Sequence, residues 1–205
     1  METLTSKEEL LKIKLIEFYK NKENLNILLP IILQQTKISL RSLDWFVTNY
    51  CKKNNINYPL LKNGENINYF PFKSYKSQLK AYSKKFCDPF CRRERVIFDY
   101  QNNVIINFNQ NVKLGHKEYI ITTIGQLNFF RFAIQDSIIN YSLINIIDIE
   151  NDMNGTLKNR ESEKLNQKKE NGKFVQLKNI KRKELSIPGN KSVHITRISA
   201  VIKFI

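Results

Sequence analysis

Histidine and cysteine, which supply many metal ligands and nucleophiles, are scarce in this chain of 205 residues. It contains two histidines and three cysteines. Cys51, Cys87 and Cys91 are odd in number and widely spaced, which does not indicate a disulfide framework. The single Cys87-x3-Cys91 pair is a weak zinc signal, because Cys51, His116 or His194 would have to complete the ligand set. We therefore expect reduced thiols, no metal and no cofactor.

The common catalytic motifs are missing too. The sequence has no Gly-x4-Gly-Lys-Ser/Thr phosphate loop, no Gly-x-Gly-x-x-Gly, no His-Glu-x-x-His and no Gly-x-Ser-x-Gly. His194 and Arg197 have a spacing used by tyrosine recombinases, but no tyrosine follows Arg197. These absences favour a non-enzymatic role. A metal-dependent nuclease stays as an alternative, since carboxylates distant in sequence could still meet: Asp44, Asp88, Asp99, Glu118 and Asp136.

The sequence also lacks the apolar segments that direct proteins to membranes. The start of the chain is polar and acidic and has no apolar core of a secretory signal. The longest clean apolar run, 27–33, contains Pro30 and is too short to span a bilayer. We expect a protein that is not secreted and not inserted into a membrane, in a reducing compartment.

Positive charge is what the chain has in excess. It carries 34 Lys and Arg against 19 Asp and Glu, a formal net charge of +15 at pH 7. A field of that size attracts nucleic acid, anionic membranes or acidic proteins. A competing explanation is a genome rich in A and T, whose codons favour Asn, Ile and Lys. The apolar fraction of 41% is that of a globular protein rather than a disordered one.

The charge is most organised in the segment 73–95. Wound as a helix, this segment places Tyr75, Leu79, Tyr82 and Phe86 on one face and a row of lysines on the opposite face. Asp88-Pro89 then ends the helix, and an arginine cluster follows. Lysine and arginine at such positions suit contact with phosphates. The candidate nucleic-acid-binding residues are Lys73, Lys76, Lys80, Lys84, Lys85, Arg92, Arg93, Arg95, Lys181, Arg182 and Lys183.

The remaining patterns predict an α+β domain with an antiparallel sheet. Capped or periodic apolar segments predict helices at 7–20, where Thr5 or Ser6 is the cap, at 24–35, and at 40–53, where Ser39 is the cap. They also predict a long buried helix that Thr123 caps and that runs to about Tyr141. A further helical stretch extends to Met153. Alternating segments predict hairpins around Asn63-Gly64 and around 101–103, and a strand at 118–122.

Composition divides the chain into three parts. We predict a main domain at 1–153, a basic flexible linker or arm at 154–184, where aromatic residues nearly vanish, and a C-terminal strand segment at 185–205. That strand either returns to the main domain or exchanges with another chain.

Five blocks of the sequence resemble a functionally unassigned protein family of nucleocytoplasmic large DNA viruses, among relatives of mimiviruses and phycodnaviruses. The blocks are 39–50, 75–85, 88–95, 123–130 and 181–186. The resemblance implies a viral protein found in the host cytoplasm, at the viral factory, or in the virion. It transfers no catalytic residues.

The sequence thus favours a viral protein that binds DNA or RNA through backbone contacts, with little sequence preference. The first alternative is a minor virion structural protein whose basic surface meets acidic capsid or core proteins. The second is the metal-dependent nuclease. The oligomeric state is left open.

Overall fold

The computed structural model describes residues 6–62, 64–92, 94–108, 115 and 118–170. Several sequence predictions fall outside these ranges and stay predictions: the C-terminal strand, the part of the basic arm at 171–184, and the candidate residues Arg93, Lys181, Arg182 and Lys183.

The described part is α+β, as the sequence predicted. The helices are α1 (Lys7–Tyr19), α2 (Lys22–Ile32), α3 (Leu40–Trp45), a π-helical turn (Phe46–Tyr50), α4 (Cys51–Lys53), α5 (Pro71–Phe86), α6 (Ile124–Gln135), α7 (Ile138–Ile144) and α8 (Ile146–Glu170). The strands are β1 (Tyr58–Lys62), β2 (Glu65–Tyr69), β3 (Arg95–Asp99), β4 (Val104–Asn107) and β5 (Tyr119–Thr123). Strands β1 and β2 form an antiparallel hairpin, and β4-β3-β5 form a separate antiparallel sheet.

Serine and threonine side chains begin three of the helices where the sequence predicted. Ser6 Oγ accepts a hydrogen bond from Glu9 N at 3.2 Å, and the Glu9 carboxylate accepts one from Ser6 N at 2.8 Å. Ser39 Oγ accepts from Ser42 N at 3.0 Å at the start of α3. Thr123 Oγ1 accepts from Gln126 N at 3.1 Å at the start of α6. Such caps satisfy amide groups that have no partner within the helix, which fixes where each helix starts.

Helix α6 is the centre of the domain, and helices α1, α2, α5 and α7 and strand β5 pack around it. Its buried residues lie on every side of the helix: Ile124, Gly125, Gln126, Leu127, Asn128, Phe129, Phe130, Phe132 and Ala133. The Tyr19 hydroxyl of α1 donates to Leu127 O at 2.8 Å within this core. The predicted buried spine is therefore confirmed, although it is shorter than expected.

The helix ends at Gln135 instead of continuing to about Tyr141. Ser137 adopts a left-handed conformation with φ of +55° and separates α6 from α7. The cause lies at Asp136, which is 5% exposed. Its carboxylate accepts hydrogen bonds from Tyr69 Oη at 2.8 Å and Lys62 Nζ at 3.2 Å, and its carbonyl accepts one from Tyr58 Oη at 2.7 Å.

These contacts join the β1–β2 hairpin to the break between α6 and α7. A left-handed conformation at a residue other than glycine costs free energy and persists where surrounding contacts hold it. A buried carboxylate likewise needs partners. Apolar periodicity gave no sign of this break, because Asp136 is a core position filled by a polar residue.

Helix α8 crosses the predicted end of the main domain. Its first half is anchored on α3, where Trp45 Nε1 donates to Asp152 Oδ2 at 2.9 Å and Ser42 Oγ donates to Glu150 Oε1 at 3.2 Å. Ile149 and Met153 are buried beside them. The chain stays helical from there to Glu170, so the first part of the predicted basic arm is an extension of this anchored helix. In the described ranges, none of the helices combines the length and the apolar character needed to cross a bilayer.

Gly125 of α6 lies against the last turn of α5 and the turn that follows it. A Cβ atom there would lie 2.6 Å from Lys85 O and 3.1 Å from Cys91 Cβ. The backbone carbonyl cannot rotate away as a side chain could. Only glycine therefore fits at this position without a shift of the chain.

We predict that Gly125→Ala lowers the free energy of unfolding by about 1–3 kcal/mol, as overpacking does. Gly155→Ala in α8 is the matched control, since a Cβ there meets nothing within 4 Å. Alanine in an open helical position should raise stability by up to about 1 kcal/mol. Urea unfolding followed by circular dichroism measures both changes. Equal effects of the two substitutions would show that the contact with Lys85 O does not restrict this position.

Candidate nucleic-acid interface

Helix α5 carries most of the predicted basic residues. Pro71 occupies its first turn, where a missing amide hydrogen costs nothing, and Lys84 and Lys85 lie in its last turn, near the negative end of the helix dipole. Tyr75 fixes the inner face of the helix. Its buried ring lies 5.8 Å from the rings of both Phe129 and Phe132 of α6, and its hydroxyl donates to Cys87 O at 3.3 Å.

The helix is not regular to its end. Ser83 has φ of 60° and ψ of 170°, which interrupts the helical path. Residues after Ser83 therefore do not follow the 100° spacing on which the predicted stripe was built. Lys84 is exposed, but its place in line with Lys76 and Lys80 cannot be derived from helical phase.

The predicted lysines of α5 are all exposed: Lys73, Lys76, Lys80, Lys84 and Lys85. The helix sequence contains no aspartate or glutamate, so no acidic side chain within α5 offsets them. Lys85 forms an ion pair with Glu94 at 2.8 Å, and the hydrogen bond to that carboxylate raises the pKa of Lys85. The ammonium of Lys85 is thus already paired, which makes it the weakest phosphate ligand among the predicted lysines.

Two of the predicted arginines are described, and both are exposed. Arg92 lies in the turn after α5, and Arg95 is the first residue of β3, where Arg95 O accepts a hydrogen bond from Phe108 N at 3.0 Å. That these arginines and the lysines of α5 form one continuous surface stays a prediction.

Polar side chains of α6 hold the turn between α5 and β3 in place. Asn128 Nδ2 donates to Phe86 O at 2.7 Å, and Gln126 Nε2 donates to Pro89 O at 3.3 Å. Asp88 N donates to Gly125 O at 3.2 Å. Two of the blocks that carry the family resemblance, 88–95 and 123–130, therefore pack against each other.

Cations lie over the aromatic rings of this segment, an arrangement that the sequence did not reveal. The six cation–π pairs found among the described residues all have their ring within residues 70–86. Distances from the cation to the ring centroid are 4.4 Å for Lys73 on Phe70, 5.9 Å for Lys52 and 5.3 Å for Lys76 on Phe72, 5.7 Å for Lys7 and 5.9 Å for Arg131 on Tyr82, and 4.9 Å for Lys85 on Phe86.

These pairs add Lys7, Lys52 and Arg131 to the basic side chains around α5. They also correct the prediction that α5 keeps its aromatic residues on one face and its basic residues on the opposite face. Tyr82 and Phe86 are only partly buried, and basic side chains from α1, α6 and α5 itself approach their rings. The residues that sequence reasoning missed come from other helices, so no local period could have indicated them.

The zinc and nuclease alternatives gain no support from the described residues. Within these ranges, no group of three or more His, Cys, Asp or Glu side chains could hold a metal ion. Burial raises the pKa of the Cys87 thiol to about 12, and it raises the pKa of Cys51 further. Asp99 accepts hydrogen bonds from Gln101 N and Asn102 N in the β3–β4 turn, so this carboxylate serves the fold.

Asp44 of α3 is a partly buried acid close to the basic segment. Its pKa is raised from 3.8 to about 6, mainly because burial disfavours the charged form and also because the Asp88 carboxylate is near; the Lys84 ammonium acts in the opposite direction. At neutral pH Asp44 is therefore ionised, but its burial makes ionisation less favourable in the folded protein than in the unfolded chain.

We predict that Asp44→Asn stabilises the protein at pH 7. The folded protein binds the Asp44 proton more tightly than the unfolded chain does, so wild-type stability falls as pH rises from about 4 to about 6 and then levels off. The substitution removes this loss, which amounts to at most about 3 kcal/mol for a shift of about two pKa units. Urea unfolding at pH 4 and pH 7 measures the difference. A stability gain of equal size at both pH values would contradict the assignment to ionisation of Asp44.

Comparison with known proteins supports the resemblance seen in the sequence. Uncharacterized protein L507 of Acanthamoeba polyphaga mimivirus is 41% identical over 139 residues, which cover 68% of this chain and 50% of that protein. The chain therefore corresponds to about half the length of this relative. No solved structure matches the chain. A family model, described as a family of unknown function, matches residues 2–201. The chain thus belongs to the DUF7197 family, and it is related to a protein of a large DNA virus.

Proposed function

We propose that the protein binds nucleic acid by contact between phosphates and a basic surface on α5. We call this the α5 surface and define it by the exposed side chains of Lys73, Lys76, Lys80 and Lys84. The observation that carries the proposal is the exposure of every one of these lysines on a helix that has no acidic residue.

Exposed ammonium groups at close spacing suit a polyanion. Each phosphate that a lysine neutralises releases a condensed counterion, so affinity arises from charge and falls steeply with salt. Phosphate contacts carry no base information, which predicts binding with little sequence preference. Arg92 and Arg95 are exposed beyond the end of the helix and would extend the same contact along the nucleic-acid backbone.

The net charge of +15 supports the proposal through association rate as well as affinity. A field of one sign raises the local concentration of an oppositely charged partner and accelerates its encounter with the surface. An acidic protein would be attracted by the same field. The two partners differ in what happens when a few lysines are removed, and this difference is the basis of the test.

We predict that replacing Lys76, Lys80 and Lys84 together with Gln weakens binding to duplex DNA of any sequence. For the wild type, neutralisation of about four to six phosphates gives a slope of log K against log[salt] of about −4 to −5, and losing three contacts should flatten it by about 2–3. Fluorescence anisotropy at several salt concentrations, with two unrelated duplex sequences, measures affinity and slope. Folding should be retained, because exposed charges contribute about 0–1 kcal/mol each.

The matched control replaces Lys14, Lys20 and Lys22 with Gln, since these lysines of the α1–α2 region are also exposed. It changes the net charge by the same amount, so a local contact must affect the slope more in the α5 variant than in the control. Equal slopes in the two variants would mean that binding follows total charge and not the α5 surface. A wild-type protein with no measurable DNA or RNA affinity would refute the proposal and favour an acidic protein partner.

A further inference from the structure

We infer that the partner of the α5 surface is a single-stranded nucleic acid whose bases stack on Phe70 and Phe72. This inference rests on the proposed function and names its substrate class. It comes from the pairing of rings and cations at the start of α5, which phosphate contact alone does not require.

The segment 70–86 has an unusually high number of cation–π pairs for its length. Energetically significant cation–π pairs occur roughly once per 70–80 residues in protein structures. Here the six pairs among the described residues converge on four rings of one segment: Phe70, Phe72, Tyr82 and Phe86. Rings interleaved with basic side chains are what proteins use to bind single strands, because the rings accept bases and the cations accept phosphates.

Phe70 is the ring best placed for such a role. It lies between β2 and α5, as the residue before Pro71, and it is partly exposed. Phe72, Tyr82 and Phe86 pack partly against the main core, whereas Phe70 is not among the core-packed side chains of the described residues. The Lys73 ammonium lies over this ring, 4.4 Å from its centroid, so a base that stacks on Phe70 replaces the ammonium or covers the opposite face.

Phe72 adds a second ring with basic side chains from two helices. Lys52 of α4 and Lys76 of α5 lie 5.9 and 5.3 Å from its centroid, and Lys73 lies 4.4 Å from that of Phe70. Three ammonium groups thus surround two rings. A base that stacks on either ring brings its own backbone phosphate into the neighbourhood of these ammonium groups.

This arrangement discriminates between single and double strands. In a duplex the bases are stacked on one another and their faces cannot reach a protein ring, so a duplex can use only the lysines. A single strand can use both the lysines and the rings, and each stacked base adds affinity without base preference. The single strand should therefore bind more tightly than a duplex of the same length.

The test compares two probes on the full chain: fluorescent oligothymidylate and a duplex of equal length. We expect the double variant Phe70→Leu/Phe72→Leu, which keeps apolar bulk and removes the rings, to lose at least about fivefold in affinity for oligothymidylate. Its affinity for the duplex should change less than about twofold. Phe108→Leu is the control, since Phe108 is 38% exposed, lies outside the segment 70–86, and bonds Arg95 O through its backbone N, which leucine keeps.

A single variant protects the test against misfolding at Phe72. Phe70→Leu alone should also lower the affinity for oligothymidylate. Phe70→Trp should bind oligothymidylate at least as tightly as the wild type does, because the larger ring stacks at least as well. Equal losses on both probes would overturn the inference and leave the rings as supports for the lysines, with the proposed function intact. Unchanged affinity on both probes would overturn it as well. Failure of the wild type to bind either probe would instead refute the proposed function.

Discussion

The burial of α6 on every side is the constraint on which the rest of the structure depends. A helix surrounded by protein must satisfy its polar side chains internally, since an unpaired buried polar group costs about 1–3 kcal/mol. Asn128 and Gln126 meet this requirement by donating to Phe86 O and Pro89 O. Asn128 and Gln126, which would destabilise the core if they were unpaired, therefore fix the path of the chain after α5. Gly125 allows that path to run in direct contact with the helix.

Both ends of α5 are fixed by α6. At the end of α6, Asp136 binds the Tyr69 hydroxyl, and Tyr69 is followed directly by Phe70 and the start of α5. At the start of α6, Gly125, Gln126 and Asn128 hold the residues that leave α5. Between these anchors Tyr75 packs on Phe129 and Phe132. The basic helix is thus attached at its beginning, middle and end to the most buried element of the domain, and its lysine side chains are exposed on the other side.

The sequence predicted those features that depend on neighbouring residues. Helix caps and alternating strands are such local features. A cap such as Ser6, Ser39 or Thr123 binds an amide group three residues ahead, and an alternating strand repeats its pattern every two residues, so a short window of sequence contains each signal. The break at Asp136 depends on Tyr58, Lys62 and Tyr69, which lie far away in the sequence. No short window of the sequence contains Asp136 together with these three residues. The approach of Lys7, Lys52 and Arg131 to the rings of α5 was missed for the same reason, as the cations come from α1, α4 and α6. The exposure of the lysines could be predicted, whereas their environment required the tertiary structure.

Lysines that lie against rings differ physically from lysines that extend freely into solvent. A free lysine loses rotamer entropy when it binds a phosphate, and this loss reduces the benefit of each contact. A cation–π contact already restricts the side chain, at an attraction of about 0.5–1 kcal/mol for an exposed pair. Part of the ordering cost is then met during folding and not during binding. The contacts of Lys52, Lys73 and Lys76 with Phe72 and Phe70 therefore restrict these ammonium groups before any partner binds. In the proposed complex, the phosphates of a single strand would meet side chains whose ordering cost has already been met in part.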